Sequence, residues 1–154
     1  GPNITQPYII PEIIMQVLGK NSKIKLGNIN AERDFTFVSD TANGIIKALF
    51  SKKAIGETIN LGSGKSYKIK NIVKLVSSIL EKKVTITSNK DRLRPFDVNK
   101  LVCDNRKAKK ILNWEPKITF DEGLKNTIDW IKENDVELRT PFRGWPKQYR
   151  KIRK

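Results

Sequence analysis

Arg33-Asp34-Phe35-Thr36-Phe37-Val38-Ser39-Asp40 is the stretch around which the rest of the chain is organised. It opens on an adjacent Arg-Asp pair. Phe, Thr, Phe and Val then alternate, which predicts a strand from Asp34 to Val38. Ser39 or Asp40 has the side-chain oxygen that caps a helix amino end. Beyond it Ala42, Ile45, Ile46, Leu49 and Phe50 recur at helical spacing, predicting a helix through Phe50 with those residues inward.

Upstream, Ile9, Ile10, Ile13, Ile14, Val17 and Leu18 mark a helix from Pro7 to Lys20. Pro11 falls in its first turns, where a missing amide donor is tolerated. Lys23 to Leu26 is a short strand, and Gly27-Asn28-Ile29-Asn30 a turn. Downstream, Thr58 to Leu61 reads as a strand ending at Gly62-Ser63-Gly64, and Tyr67 to Ile69 as a brief extended piece. Asn71 to Lys82 is a helix on Ile72, Leu75, Val76, Ile79 and Leu80. Val84 to Thr87 is a β-branched strand, and Lys90 to Asp97 a charged loop around Pro95. Asp104 is placed to cap a helix ending at Asn113. Thr119-Phe120-Asp121-Glu122 fits a capping box for a last helix to about Asn134. Strands alternating with helices give the α/β class.

The length, 154 residues, fits one domain with a core of its own. Net charge is +15, and Arg139 to Lys154 carries seven basic residues and no acid, leaving about +8 for the body. Such a surface favours anionic partners, or records a habit of writing lysine at polar positions. The tail's Phe142, Trp145 and Tyr149 among lysines and arginines open the alternative of a nucleic-acid or anionic-partner binding module. The chain thus divides into residues 1–134 and a basic C-terminal extension, 135–154. Histidine is absent, which removes Ser/His and Cys/His catalysis and most zinc sites. No metal site is expected. The single Cys103, in Leu101-Val102-Cys103, reads as a small apolar residue and suits a reducing compartment. No run approaches membrane-spanning length, the start lacks a secretory plan, and the expected location is cytoplasmic.

Three positions have side chains suited to an anionic ligand. Arg33 presents a planar fork that matches a diphosphate, the alternative being a surface arginine paired with Asp34 or Glu32. Asn60 stands just before the glycines, where an amide can both donate to and accept from a base or ribose. The alternative there is a turn asparagine bonding its own loop. Arg94, in Arg92-Leu93-Arg94-Pro95, is pushed toward an extended backbone by Pro95, the alternative being a solvated loop. Gly62-Ser63-Gly64 is not a phosphate loop, because no Gly-Lys-Ser/Thr ending leads into a helix.

Taken in order, Arg33-Asp34-Phe35, Thr58-Ile59-Asn60-Leu61-Gly62, Arg94-Pro95 and the closing Trp114-Glu115-Pro116 resemble the C-terminal, substrate-binding portion of nucleotide-sugar epimerases and dehydratases, in the extended short-chain dehydrogenase/reductase family. The resemblance covers about residues 1–134. It implies that Arg33 contacts the nucleotide portion of a nucleoside-diphosphate sugar and that Arg94 reaches its diphosphate. Asn60 matches a substrate-side position, and Leu26, before Gly27, matches the residue that packs on the base. It implies NAD or NADP in the intact enzyme. The reaction would be oxidation at sugar C4, then epimerisation or 4,6-elimination, then return of the hydride. General similarity leans toward dehydratase.

The family's glycine-rich dinucleotide turn and its Tyr-Xaa-Xaa-Xaa-Lys pair do not occur in this sequence. Tyr8 is followed four on by Glu12, Tyr67 by Asn71 and Tyr149 by Arg153. No catalytic residue is therefore named. The chain reads as a substrate-binding piece that is not catalytic alone, whose partners are a nucleoside-diphosphate sugar and a dinucleotide-binding half.

Overall fold

A computed structural model describes residues 1–4, 8–89, 92–93 and 96–134. Arg94, Pro95 and the basic extension 135–154 lie outside the described residues. The described chain gathers into two compact units, each assembled from separate stretches. The first contains Gly1–Pro2, Glu32–Tyr67 and Lys100–Glu133. The second contains Asn3–Ala31 and Lys68–Asn99.

The second unit is the simpler. Helix α1 (Ile9–Leu18) buries Pro11, Ile13, Ile14 and Val17. Strand β1 (Lys23–Leu26) alternates, with Lys23 and Lys25 outward and Ile24 and Leu26 inward. Helix α3 (Ile69–Ile79) buries Ile69, Ile72, Val73 and Val76 and packs against α1. Strand β4 (Thr85–Ser88) pairs with β1 in parallel, Ile24 opposite Ile86. The carboxyl end of α1 is stabilised by Lys82, whose Nζ donates to the Leu18 carbonyl at 2.6 Å.

In the first unit, β2 (Glu32–Asp34) is flanked by β3 (Ser66–Lys68) and β5 (Lys100–Leu101). β5 runs parallel to β2, with Arg33 opposite Leu101. Helix α2 (Val38–Leu49) follows β2, and a 3-10 turn spans Lys52–Ala54. Helix α4 (Arg106–Leu112) ends on Asn113 in the left-handed region, an asparagine stop of the expected kind. Helix α5 (Phe120–Glu133) buries Gly123, Leu124, Thr127, Ile128 and Ile131. At its start Glu122 N–H donates to Thr119 Oγ1 at 3.3 Å, one arm of the expected capping box.

Several sequence expectations change, among them the cap position of α4, which is Asn105 and not Asp104. The strand expected at Asp34–Val38 is β2, two residues earlier; Phe35 to Phe37 leave the sheet, and the Phe35 ring sits 5.7 Å from that of Phe120. Neither Ser39 nor Asp40 caps α2: the cap position is Phe37, and Asp40 is buried in the first turn. Its carboxylate accepts the Ile118 amide at 3.0 Å and its carbonyl the Trp114 indole N–H at 2.9 Å. That tertiary use turns the helix over. Asp40 and Gly44 face inward against Trp114 and Leu61, while Ala42, Ile45, Ile46, Leu49 and Phe50 are exposed. Thr58 to Leu61 forms no strand, because no neighbouring strand meets it among the described residues.

Candidate functional site

β2 sorts its side chains by alternation. Glu32 and Asp34 share one side, and Arg33 points to the other. Glu32 Oε2 accepts the Ser66 hydroxyl at 2.7 Å and lies 3.5 Å from Lys100 Nζ. Arg33 is half-buried, and its Nη1 donates to the Glu32 carbonyl at 2.7 Å.

Asp34 does more than its place beside Arg33 suggests. Oδ1 accepts the Ser63 amide at 3.0 Å and the Ser63 hydroxyl at 2.5 Å. Oδ2 accepts the Gly64 amide at 2.9 Å and the Cys103 amide at 3.1 Å. The carboxylate is thus saturated by the loop that follows Asn60 and by the strand exit at Cys103. It is not the ion-pair partner of Arg33. Nothing in the local sequence marks this role: the donors are 29, 30 and 69 residues away.

The loop has two glycines for two reasons. Gly64 sits at φ +72, where a side chain is strained. Gly62 is set by close approach, since a Cβ there would collide with the Cys103 side chain. Asn105 Nδ2 closes the arrangement on the Gly62 carbonyl at 2.9 Å. The Ser63 and Gly64 amides, which a phosphate cradle would need free, are already given to a carboxylate. A strand rather than a helix follows. These residues do not fit a dinucleotide pyrophosphate.

Asn60, which precedes this fixed loop, is exposed. Its side chain makes no hydrogen bond among the described residues, so it is not a turn asparagine bonding its own loop. Nearby, Tyr67 stacks on Phe120 with centroids 4.0 Å apart. Burial raises the Tyr67 hydroxyl above its ordinary range, helped by the charges of Asp121 and Asp34. Burial likewise pushes the Cys103 thiol up, with Asp34 and Asp104 adding to it, so the thiol is protonated at neutral pH and is a poor nucleophile. The exposed Asp104 is drawn down to about 2 by its hydrogen bonds from Arg106.

The other two candidates belong elsewhere. Leu26 is in the second unit and 2% exposed, so its side chain is chiefly core. Arg94 is outside the described residues. On one side of it Arg92 Nη1 bonds Glu12 Oε1 at 2.7 Å. On the other, Asp97 Oδ2 accepts Asn28 Nδ2 at 3.0 Å. Arg33 and Asn60 therefore share one unit. Among the described residues no cluster of three or more His, Cys, Asp or Glu could hold a metal, and no helix is long and apolar enough to cross a membrane.

The GDP-mannose 4,6 dehydratase family matches residues 1–127. The chain belongs to the nucleotide-sugar epimerase/dehydratase family of extended short-chain dehydrogenases. Within that family it is similar to the UDP-glucuronate 4-epimerase of Thermodesulfobacterium geofontis, 41% identical over 116 residues, or 73% of this chain and 33% of the relative. The crystal structure of Thermotoga maritima UDP-glucose 4-epimerase with UDP-glucose matches 86% of this chain and 43% of its own, at TM-score 0.75 and 27% identity. The UDP-glucuronic acid 4-epimerase of Bacillus cereus in complex with NAD covers 86% and 42%, at TM-score 0.69 and 28% identity. The chain spans a third to under a half of the length of these relatives. The mixed architecture of short strands and helices is that of the family's carboxyl-terminal portion.

Proposed function

We propose that this chain is the substrate-binding portion of an NAD(P)-dependent nucleoside-diphosphate-sugar 4,6-dehydratase or epimerase. The observation that carries the reading is Asn60. An exposed amide with no hydrogen-bond partner among the described residues, just before a loop fixed by three hydrogen bonds to Asp34, is pre-oriented for a ligand. It donates to and accepts from the nucleoside, while the Arg33 guanidinium gives charge-assisted donors to the diphosphate. Arg94 is assigned to the same diphosphate. No redox step is assigned to these residues. The loop at 62–64 does not suit a dinucleotide, and no Tyr-Xaa-Xaa-Xaa-Lys pair occurs in the sequence. The chain is accordingly a binder that is inactive alone.

The test is a calorimetric titration with UDP-, dTDP- and GDP-sugars beside a single-stranded oligonucleotide. The expected result is sugar-nucleotide binding that weakens in Arg33→Ala and in Arg94→Ala. Oligonucleotide binding that falls steeply with salt, with no response to any sugar nucleotide, favours the basic binding module and overturns the assignment.

A further inference from the structure

The end of α3 and the strand after it enclose a groove that takes no part in the function proposed above. It lies wholly within the second unit and holds about 550 Å³. Val73, Val84 and Ile86 are its less exposed, apolar lining, and the exposed Lys74, Lys82 and Lys83 stand around them. The turn that carries two of these lysines is fixed. Lys82 N–H donates to the Ser77 carbonyl at 3.0 Å and Glu81 N–H to that of Ser78 at 3.2 Å, the paired bonds of a Schellman stop. Glu81 takes the left-handed position, at φ +52, that glycine usually fills. Lys82 Nζ rests on the Leu18 carbonyl, while Lys74 and Lys83 have no carboxylate partner among the described residues.

Ser77 lines the same groove. Its hydroxyl oxygen is buried and has no hydrogen-bond partner. A polar atom left in that condition destabilises the fold, and a ligand that pairs with it relieves the cost.

The lining selects the occupant. No aromatic ring and no arginine borders the groove, so a nucleoside finds nothing to stack on and a diphosphate no planar fork. Among its described residues the second unit has nine lysines and arginines against three aspartates and glutamates. Of those three, Glu12 is bonded by Arg92 and Asp97 by Asn28, which leaves Glu81 as the one carboxylate at the groove. The chain's own extension from Arg139, with seven basic residues and no acid, is repelled by these lysines, as is a second copy at net charge +15.

We propose that this groove binds a free phosphate monoester with an aliphatic body. The body covers Val73, Val84 and Ile86. The phosphate, carrying nearly two charges at neutral pH, sits among Lys74, Lys82 and Lys83. The Ser77 hydroxyl donates to it after turning about its Cα–Cβ bond. Arg33 and Asn60 belong to the first unit, so the inference does not depend on sugar-nucleotide binding.

Titration of the full chain with hexyl phosphate, followed by amide nuclear magnetic resonance, tests the proposal. Saturable shifts are expected at Val73, Ser77, Val84 and Ile86. Inorganic phosphate and hexanol should each bind at least about tenfold more weakly, since each lacks one half of the match. Lys74→Glu and Lys83→Glu should each weaken hexyl phosphate by roughly fivefold, and Glu81→Gln should tighten it by about twofold. Ser77→Ala should raise the urea midpoint, because an unpaired hydroxyl is gone, and yet weaken binding severalfold. A merely structural serine gives the first effect without the second, and that result overturns its role as a ligand. Absence of saturable shifts at the four amides overturns the site. Equal affinity for inorganic phosphate reduces it to lysine–ion attraction and overturns it too. So does a response only to phosphatidic acid vesicles, since the source is then a membrane surface.

Discussion

Asp34 Oδ1 takes both hydrogens that Ser63 can offer, the amide at 3.0 Å and the hydroxyl at 2.5 Å. With Oδ2 holding the amides of Gly64 and Cys103, neither oxygen is spare. Asp34→Asn should therefore fail to restore the wild-type loop. Whichever way the amide is turned, its NH2 meets at least one backbone N–H that it cannot accept, Ser63 on one side or Gly64 and Cys103 on the other. Both Asp34→Asn and Asp34→Ala are expected to lower stability by about 2–4 kcal/mol, from part-buried donors left unpaired. Urea unfolding measures this. An Asn variant close to wild type would show that the carboxylate is not the organiser of the loop.

Gly44 sets helix propensity against packing. In mid-helix, glycine to alanine normally stabilises by about 0.5–1 kcal/mol. Here a Cβ would lie 2.6 and 2.8 Å from the two Leu61 methyl carbons and 3.0 Å from Trp114 Nε1. Gly44→Ala is expected to destabilise by about 1–3 kcal/mol, as overpacking does. Near-ultraviolet dichroism of Trp114 should change with it. A rise in the urea midpoint would mean that Leu61 moves aside freely.

α2 also shows what the sequence could and could not say. Its existence and its end at Phe50 were legible from the spacing of Ala42, Ile45, Ile46 and Leu49. Which face goes inward was not. Apolar spacing locates a stripe, but says nothing of whether the polypeptide in hand covers it. The decision lay with Gly44 and with Asp40, which looks like a cap until Trp114, 74 residues on, takes its carbonyl. Strand expectations divided in the same way. Lys23–Leu26 formed as read, because β4 lies within the same unit. Thr58–Leu61 did not, because a strand needs a neighbour. At the candidate site Arg33 and Asn60 were visible as residue types in an order. Asp34, which fixes the loop after Asn60, was not, since its donors lie far along the chain.

Alkaline conditions should loosen the first unit through Cys103 and Tyr67. Burial raises the first from its ordinary 9.0 and the second from 10.0, and neighbouring carboxylates add to both shifts. Below those ordinary values each group keeps its proton in both folded and unfolded chains, and stability is full. As pH climbs past them the unfolded chain ionises first, so stability is lost until the folded groups also ionise. The urea midpoint of the wild type should fall more steeply from about pH 8 to about pH 11 than that of Tyr67→Phe or Cys103→Ala. The Cys103→Ala difference should open near pH 9 and the Tyr67→Phe difference nearer pH 10. Parallel curves for all three proteins would remove both groups from the cause.

Asn60 should separate binding from folding. Its side chain makes no hydrogen bond among the described residues and is exposed, so Asn60→Ala should leave the urea midpoint within about 0.5 kcal/mol of wild type. If the amide meets the nucleoside, the same change should weaken sugar-nucleotide affinity by roughly tenfold, the value of one lost hydrogen bond with its partner left unpaired. Arg33 makes the complementary case. Arg33→Lys keeps the charge but loses the planar fork, so it should recover only part of the affinity lost in Arg33→Ala. Calorimetry against a panel of nucleoside diphosphates and their sugars reads both. Unchanged affinity in Asn60→Ala for every ligand that binds would place the nucleoside elsewhere on the protein.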